Sequence, residues 1–539
     1  MDVNTRIFSD GMVIQRGESI SFSGHETSGG TIDLIFQERR LSTVANTDGS
    51  WQLEFTQPEV GGPWDIVIEN KVPGRIERRL IKDVLVGDVY LMSGQSNMGM
   101  DVASVHNSFC QEIEDFSSDY VRHFKINTAY DYQQTYTDTD TGEWVRAQGF
   151  DKLSFGAVGF FMAARLYREQ QIPIGLIQTA VPGCPIESFL NTENYRKFFP
   201  EGPQLPAACR SRADMTAQTL LENRAIADAE QALLAADDTL AEARGGQRDW
   251  QTCQIPINLL NGVSFDGSKR TAEENGSGVI WFRKEIEITP EELSFSRIEG
   301  AATIDKCQQQ IGPVLELGLI IDNDTTYVNG QQVGKSLSQY ASRRYQLPVG
   351  LLKPGKNLIE VRVVYTNGIC RFWREQPYQL TTAVAIHDLK GDWEMSIGYH
   401  EDSPFPRKVF FEYLPSGVYN AMLAPVMSYK AAALLWYQGE SNANDPERYR
   451  DKFAVLIEQI RAEMAQPELA AYFIQLPDYD SYDSVQNDKW SQLQAQQEQA
   501  ARTIPNTYMV VSRDVGDITN LHPQDKKTLG ERIADLILS

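Results

Sequence analysis

Short apolar segments that each end in a glycine-containing turn are the feature of this sequence that most restricts its fold. Three of these turns lie at Gly94, Gly183 and Gly439. Helical periodicity occurs between the segments, at about 155–169, 213–243, 447–465, 488–502 and 524–538. Apolar strands that alternate with helices predict a parallel sheet covered on both faces. Because ligands bind at the carboxyl ends of the strands in such sheets, these turns are where we expect a site.

Two parts of the chain do not show this alternation. Residues 1–84 contain short runs in which apolar and polar residues alternate, and this period of two predicts a small β-sandwich. Residues 245–398 again contain short strands, and Asn329-Gly330 between two of them is a strong hairpin signal. We therefore expect a jelly-roll-like β domain inserted into the α/β domain. The predicted units are an N-terminal β-sandwich (1–84), an α/β domain in two segments (85–244 and 399–539) and the inserted domain (245–398).

The balance of charges excludes some partners. The chain of 539 residues has 50 Lys and Arg against 73 Asp and Glu, a formal net charge of −23. This argues against nucleic acid, whose phosphates need clustered cations, and against an anionic membrane surface. No apolar run reaches the ~18 residues that a membrane-spanning helix needs, so we expect no membrane insertion. The charge says nothing positive about the substrate, and the oligomeric state is not predicted.

The cysteines and the N-terminus bear on metal binding and on location. The six cysteines are scattered without CxxC spacing, so we expect neither a zinc site nor a disulfide-dense scaffold. The first residues lack the apolar core of a signal peptide. We expect a cytoplasmic protein, or a periplasmic or secreted one if a signal peptide has been removed.

Ser96 is the candidate nucleophile. It follows an apolar strand in Gly94-Gln95-Ser96-Asn97-Met98. A serine at a strand-to-helix turn can expose its hydroxyl at the sheet edge and offer its own N–H to an oxyanion. A glycine- and serine-rich turn is more often structural when it is considered alone.

A nucleophilic serine needs a base, and six histidines are available: His25, His106, His123, His387, His400 and His522. Three of them fall in or beside the predicted β regions, and neither His106 nor His123 follows a strand. His522 comes directly after the last predicted strand, so its loop must lie at the same sheet edge as Ser96. Considered alone, His522 is equally compatible with an ordinary loop histidine.

Two further loops end at that edge. The first offers a backbone N–H near Gly183, and the second offers the Gln438 amide and the Glu440 carboxylate. Acyl transfer needs two or three donors around the developing oxyanion. Each of these residues alone is compatible with a structural hydrogen-bond network, and the coincidence of four loops at one edge is what favours a site.

Four blocks carry a resemblance to a known family. In chain order they are Ser93-Gly-Gln-Ser96-Asn-Met98, Gly183-Cys-Pro-Ile-Glu187, Trp436-Tyr-Gln-Gly-Glu-Ser-Asn442 and Leu521-His522-Pro523 with Lys526. They resemble the sialate O-acetylesterase family of carbohydrate esterases in the SGNH hydrolase superfamily. Phe8 to Arg16, Val86 to Tyr90 and parts of the inserted region look like that family too. The resemblance implies an SGNH-hydrolase-like, doubly wound parallel sheet and covers nearly the whole chain.

The resemblance also implies roles for individual residues. Ser96 would be the nucleophile and His522 the general base. The oxyanion hole would come from the N–H groups of Ser96 and Gly183 and from the side chain of Gln438. Supporting roles would fall to Gln95, Asn97, Glu440 and Asn442.

The sequence departs from the family near the histidine. The superfamily carries an Asp three residues before it, and relatives often have one two residues before, where this chain has Thr519 and Asn520. Asn520 can accept a hydrogen bond from Nδ1 of the histidine, but it cannot stabilise imidazolium as a carboxylate does. Asp517 and Glu440 are the alternatives, so we expect a Ser-His dyad assisted by one of these residues.

The expected reaction is hydrolysis of O-acetyl groups on carbohydrates, with no metal and no organic cofactor. The substrate is either an acetylated sialic acid or an acetylated plant glycan such as xylan or xyloglucan. Arg371, Trp373 and Arg374 are candidate sugar contacts, although an edge loop of the inserted domain explains them more simply. A carbohydrate-binding protein without catalysis is the second hypothesis, and a lipase or peptidase on the same scaffold is the third.

Overall fold

The structure is a computed structural model. It describes residues 2–3, 6–72, 75–106, 108–260, 263–264, 276–293, 312–337, 339, 341–374, 376–481, 484–516, 518 and 520–539. The helices are α1 (Ser96–Gly99), α2 (Val102–Val105), α3 (Cys110–Glu114), α4 (Ala157–Gln170), α5 (Thr192–Arg196), α6 (Arg212–Ala243), α7 (Tyr449–Glu463), α8 (Ser484–Thr503) and α9 (Lys526–Leu538).

The strands fall into three groups along the chain. The first group is β1 (Asp2–Val3), β2 (Val13–Gln15), β3 (Ile20–His25), β4 (Thr31–Phe36), β5 (Arg39–Val44), β6 (Ser50–Phe55), β7 (Gly61–Val72), β8 (Arg75–Gly94), β9 (Ser118–Lys125), β10 (Trp144–Ala147) and β11 (Ile174–Gln178). The second is β12 (Gln251–Ile255), β13 (Asn258–Leu260), β14 (Val263–Ser264), β15 (Ser277–Ile288), β16 (Val314–Leu317), β17 (Ile320–Ile321), β18 (Asn323–Val328), β19 (Gln331–Ser336), β20 (Arg344–Gln346), β21 (Gly355–Tyr365), β22 (Ile369–Phe372), β23 (Tyr378–Thr381), β24 (Ile386–Asp388) and β25 (Gly391–Glu401). The third is β26 (Ala433–Tyr437), β27 (Ala470–Ile474) and β28 (Thr507–Val510).

A largely parallel sheet carries the candidate site. Among its described strands the order is β10-β9-β11-β8-β26-β27-β28, and along this path the pairs are parallel except for the antiparallel pair of β10 with β9 at the edge. Every residue of β11 and β26 is buried, so both faces of the sheet are covered. Helix α4 packs against α9, and α7 packs against α8. The carboxyl ends of the parallel strands meet at one edge, as the sequence predicts.

One long strand joins this sheet to the N-terminal β region. The first part of β8 pairs antiparallel with β7, and its last part pairs with β11 and β26. The short strand β2 lies parallel to the middle of β8. The predicted boundary between residues 84 and 85 therefore falls inside a continuous strand.

The N-terminal strands form two layers. One layer is the sheet β1-β3-β6, and the other is formed by β4, β5 and β7, which continue into β8. On β6 the side chains of Trp51, Leu53 and Phe55 are buried while Gln52 and Glu54 are exposed. This alternation is the pattern of two that the sequence shows.

The region after α6 has three sheets and a hydrophobic core of its own. The sheets have the strand orders β12-β25-β15-β21-β18-β19, β14-β13-β22-β17 and β20-β16-β23-β24. Phe282, Val361 and Phe372 are buried in that core. Asn329 and Gly330 both have positive φ and join β18 to β19, so the predicted hairpin is present.

Helix α6 packs on this region through a buried carboxylate. Asp237 is fully buried, and it accepts hydrogen bonds from Arg248 at 2.9 Å and from Nε1 of Trp281 on β15 at 2.9 Å. Arg362 on β21 lies 2.7 Å from the same carboxylate. The helix runs from Arg212 to Ala243, close to the predicted 213–243.

The prediction of an α/β fold with additional β sheets is confirmed. Among the helices of the described residues, none has the length and apolar character needed to cross a membrane.

Candidate active site

Ser96 lies at a sharp turn between the central strand and a short helix. β8 ends at Gly94, whose φ of +127° favours glycine. A Cβ on Gly94 would lie 2.2 Å from the backbone oxygen of Tyr437 on the neighbouring strand, so a larger residue does not fit. Ser96 then begins α1, and the first amides of a helix have no acceptor within the helix. The turn thus places the partly exposed Ser96 and its backbone N–H at the carboxyl edge of the sheet.

His522 lies next to Ser96. Its Nε2 is 2.7 Å from Oγ of Ser96, although the two residues are 426 positions apart. His522 is 6 % exposed, and burial, followed by the charge of Lys526, lowers the pKa of its imidazole to about 3. The ring is therefore neutral near neutral pH. A neutral imidazole with Nε2 unprotonated can accept the hydroxyl proton of Ser96.

The candidates for orienting His522 are placed differently. Oδ1 of Asn520 accepts a hydrogen bond from the backbone N–H of His522 at 2.9 Å, so Asn520 holds the backbone of the histidine loop. Asp517 and Thr519 lie outside the described residues. Glu440 contacts Asn97, at 2.5 Å. The group that accepts from Nδ1 therefore stays a prediction.

Asn97, Glu440 and Lys526 form a buried polar network beside the Ser96–His522 pair. Besides its bond to Glu440, the Asn97 amide donates to the backbone oxygen of Leu521 at 3.0 Å. Nζ of Lys526 donates to Oδ1 of Asn97 at 2.6 Å. Burial lowers the pKa of Lys526 to about 7 and raises the pKa of Glu440. The network ties the serine turn to the β26 loop and to the histidine loop.

The Gly183 loop is held against the serine turn. The backbone N–H of Val181 donates to the Gly94 oxygen at 2.9 Å, and Oγ of Ser441 donates to the Gly183 oxygen at 2.7 Å. Gly183 has a φ of +76°, and a Cβ there would lie 1.9 Å from the hydroxyl oxygen of Tyr413. The backbone N–H of Gly183 is thus carried by a tightly packed turn next to Ser96.

Gln438 lies in the same loop cluster but donates inward. The side chain is fully buried, and Nε2 donates to Oδ1 of Asn442 at 2.7 Å and to Oε1 of Gln95 at 3.1 Å, with the Cys184 oxygen at 3.3 Å. Its Oε1 accepts from Tyr449 at 2.8 Å. Since an amide has two N–H hydrogens, these acceptors occupy both. The structure therefore places Gln438 as a support for Gln95 and Asn442, and does not direct it to an oxyanion as the sequence analysis expects.

Gln95 and Asn442 complete this support. Oε1 of Gln95 also faces the backbone N–H groups of Gly439 and Ser441, at 3.4 and 3.3 Å. Oδ1 of Asn442 accepts from the N–H of Ile186 at 2.9 Å. The serine turn, the Gly183 loop and the β26 loop are thereby joined by side-chain amides.

The three candidate sugar contacts lie in the inserted region. The Arg371 guanidinium lies 4.8 Å from the ring centre of Trp373, and Arg374 is exposed. Two residues beyond Arg374, Gln376 lines a cavity of about 340 Å³ together with Gln524 of the histidine loop. The structure thus brings the end of their loop close to the histidine loop.

Phe410 and Tyr413 form an aromatic pair beside the Gly183 loop that is not predicted from the sequence. Two aromatic side chains three positions apart are the only local signal, and this signal has meaning only when the segment is a 3₁₀-helix. Within the described ranges, no group of three or more His, Cys, Asp or Glu side chains is arranged to hold a metal ion.

Comparison with known proteins identifies the domain that carries this geometry. The family model described as carbohydrate esterase, sialic acid-specific acetylesterase, matches residues 86–202 and 410–539. A sialate O-acetylesterase from Rattus norvegicus is 26% identical over 226 residues, which cover 37% of this chain and 42% of that protein. The sialate O-acetylesterase from Homo sapiens is 25% identical over 179 residues, which cover 31% of this chain and 34% of that protein. The chain therefore matches less than half the length of these relatives.

A solved structure shares the fold. A carbohydrate acetylesterase from Xanthomonas citri superposes with a TM-score of 0.54 at 18% identity, and the similarity covers 98% of this chain and 73% of that one. At this identity the similarity shows the architecture alone.

Proposed function

Because residues 86–202 and 410–539 belong to the sialic acid-specific acetylesterase family of carbohydrate esterases, we propose that this chain is a serine esterase that removes O-acetyl groups from carbohydrates. The single observation that carries the proposal is the 2.7 Å contact between Nε2 of His522 and Oγ of Ser96. A neutral histidine at hydrogen-bond distance from a serine hydroxyl is the arrangement that activates a nucleophile.

The proposed reaction has two halves. Nε2 of His522 takes the Ser96 proton while Oγ attacks the acetyl carbonyl carbon, and the carbonyl oxygen becomes an oxyanion. The imidazolium then gives that proton to the departing sugar oxygen, and the C–O bond to the sugar breaks to leave acetyl-Ser96. In the second half water loses a proton to His522, attacks the acetyl carbon, and acetate leaves as Oγ of Ser96 regains a proton.

We assign the oxyanion contacts to the backbone N–H groups of Ser96 and Gly183. Ser96 supplies the free amide at the start of α1, and the Gly183 loop is fixed by hydrogen bonds to the serine turn and the β26 loop. Gln438 supports this arrangement through Gln95, whose side-chain oxygen accepts a hydrogen bond from the Gln438 amide. Each donor of this kind accounts for roughly 2.7–4 kcal/mol of transition-state stabilisation.

Ser96 and His522 form a catalytic dyad in this proposal, and neighbouring residues hold the histidine in place. Asn520 fixes the backbone of His522, and Asn97 fixes the neighbouring Leu521 carbonyl. Asp517 and Glu440 remain the proposed alternatives for stabilising the imidazolium, and Asn520 remains a proposed alternative for orienting the ring. An Asp517→Asn variant with unchanged kcat would remove Asp517 from this set.

The fold assignment within the family is part of the proposal. The parallel order β9-β11-β8-β26-β27-β28 supports an SGNH-hydrolase-like, doubly wound sheet. The separate core of the region between α6 and β26 supports an inserted, jelly-roll-like domain near residues 245–398.

For the substrate we propose an O-acetylated sialic acid first, because the curated relatives are sialate O-acetylesterases. An acetylated plant glycan such as xylan or xyloglucan is the alternative. Acetate release from a panel of acetylated sialosides, xylan and xyloglucan separates the two.

Removal of the nucleophile tests the proposal. We expect Ser96→Ala to lower kcat for p-nitrophenyl acetate and for the preferred acetylated sugar by at least about 10³-fold. Ser491→Ala, which alters an exposed serine on α8, is the matched control for the substitution. A wild-type chain without activity on any of these esters would instead favour a carbohydrate-binding protein that lacks catalysis.

A further inference from the structure

A short 3₁₀-helix at Phe411–Tyr413 places two aromatic rings in parallel contact. Phe410 directly precedes the helix, and its backbone oxygen accepts a hydrogen bond from the N–H of Tyr413 at 3.0 Å, so one 3₁₀-type turn brings the two side chains together. Their ring centres are 4.7 Å apart and their planes differ by 7°. We refer to this pair as the Phe410–Tyr413 stack.

The backbone that carries the stack is anchored on its inner side. Phe411 is fully buried and packs with Cys209 and Met215. The hydroxyl of Tyr132 donates to the Phe411 carbonyl, and Sγ of Cys184, the residue after Gly183, donates to the Glu412 carbonyl at 3.0 Å. These contacts fix where the two rings lie before any ligand binds.

The stack extends from the oxyanion loop towards solvent. The hydroxyl oxygen of Tyr413 occupies the space that a Cβ on Gly183 would need, at 1.9 Å from that position. Phe410, on the outer side, is 41% exposed although it is a large apolar side chain. An exposed aromatic ring held rigidly beside a reaction centre is a typical ligand contact.

A pyranose ring matches this surface. Its axial C–H groups form a flat apolar face, while its hydroxyl groups point outward from the ring edge and remain hydrated. We propose that the Phe410–Tyr413 stack is the platform on which a pyranose ring of the acetylated substrate packs, with its acetyl group directed to Ser96. This proposal rests on the esterase function proposed above and adds the place where the sugar binds.

A cation accompanies the platform. Nζ of Lys408 lies 4.8 Å from the ring centre of Phe410, and Lys408 is partly exposed on a flexible stem. The ammonium can move from the ring to a bound ligand, and it would pair with the carboxylate of a sialic acid but not with a neutral sugar. A substitution of Lys408 therefore distinguishes an acidic sugar such as sialic acid from a neutral sugar.

The experiment compares esters with and without a sugar. Phe410→Ala is assayed on ethyl acetate, on acetylated xylo-oligosaccharides and on a 9-O-acetylated sialoside, next to Phe410→Tyr, Lys408→Gln and the control Phe150→Ala. Phe150 is 90% exposed and lies in a different part of the chain. We expect Phe410→Ala to raise KM for the accepted saccharide about tenfold. The fall in kcat/KM should be about tenfold larger for that saccharide than for ethyl acetate. Phe410→Tyr, which keeps the ring, should recover most of the loss.

Lys408→Gln identifies the source of the sugar. A KM increase confined to the sialoside shows an anionic sugar on the platform, and an unchanged sialoside KM with an effect of Phe410→Ala on the xylo-oligosaccharides shows a neutral one. Either result supports the platform.

A binding measurement separates this proposal from the proposed esterase activity. Calorimetric titration of Ser96→Ala with each saccharide, with and without Phe410→Ala, does not need turnover. We expect Kd to rise about tenfold with Phe410→Ala, and this result would support the platform even if Ser96 proved unnecessary for ester hydrolysis. Equal losses on ethyl acetate and on the saccharides, or saccharide binding that is undetectable or insensitive to Phe410→Ala, would overturn the platform while leaving the esterase activity in place.

Discussion

The buried ammonium of Lys526 should control how the esterase reaction depends on pH. Lys526→Met removes the charge and keeps a side chain of similar length. His522 becomes imidazolium while it holds the Ser96 proton, and a nearby cation opposes that second positive charge. Burial is the larger cause of the low pKa of His522, and the charge of Lys526 is the second cause. Losing the charge should therefore make the imidazolium easier to form.

The size of the effect follows from the network. Lys526 reaches Asn97, the residue next to Ser96, and His522 contacts Ser96 itself. Two unit charges on the order of 10 Å apart interact with about 1.7 kcal/mol at an effective dielectric constant of about 20. This energy is slightly more than one pKa unit, or a change in rate of about tenfold.

The sign of the pH dependence follows from the pKa of Lys526, which is about 7. Below this pH Lys526 is charged and opposes the imidazolium, and above it Lys526 is neutral. We expect kcat/KM of the wild type to rise about tenfold between about pH 6 and about pH 8. In Lys526→Met this step should be absent. The acidic limb, which His522 sets at about pH 3 in the wild type, should move to higher pH by about one unit.

Two carboxylates face the same ammonium. Glu440 and Asp525 both raise the pKa of Lys526 against the larger effect of burial. Without the cation the pKa of Glu440 rises further, because Lys526 is one of the groups that lower it. The variant therefore shifts Glu440 towards its protonated, neutral form, which lowers the cost of leaving this carboxyl buried without the cation.

The assay is acetate release from ethyl acetate between about pH 4 and about pH 9. Lys527→Met is the matched control, because Lys527 is the next residue but pairs with Glu112 at the surface, at 2.8 Å. Thermal unfolding followed by circular dichroism shows whether each variant is folded at each pH. A step near pH 7 that persists in Lys526→Met would refute the reasoning, since another group would then be titrating.

Two further predictions concern the loops that hold the site. Gly183→Ala adds a Cβ at 1.9 Å from the Tyr413 hydroxyl and at a positive φ, so we expect kcat to fall about 10²-fold or more. Gly149→Ala, at a positive φ with open space around it, measures the backbone strain alone, and equal kcat values for the two variants would contradict the prediction. Asn97→Ala leaves Glu440 and Lys526 without their shared amide, and urea unfolding at neutral pH should show a loss of about 3 kcal/mol. A loss below about 1 kcal/mol would mean that the network contributes little to stability.

The meeting of Ser96 and His522 could be predicted because it depends on topology. Each residue follows a strand of the same predicted sheet, and parallel strands bring their carboxyl ends to one edge. Neither side-chain packing nor the inserted region enters that argument. The helix bounds were also predictable, because periodicity over a long segment such as α6 is a local property of the chain.

The direction in which Gln438 points could not be predicted. Its amide is shared with Asn442 and Tyr449, which follow it in the chain, and with Gln95, which is 343 positions away. A motif specifies the residue type at a position. It does not specify whether the acceptors for the Gln438 amide lie in the protein interior or on the side of the substrate. The Phe410–Tyr413 stack could not be predicted for a related reason, because it depends on a single short 3₁₀ turn that tertiary contacts stabilise.

The continuity of β8 has a consequence for how this protein can be altered. Val84 of β8 pairs with Trp64 of β7, and the same strand β8 ends at Gly94 in the serine turn. A deletion of the N-terminal strands would therefore remove the antiparallel partner of the strand that positions Ser96. A replacement by an unrelated domain would need a strand that pairs with β8 as β7 does. The N-terminal layer therefore cannot rotate independently of the parallel sheet. A transfer of this layer to another protein should include β8 and Ser96.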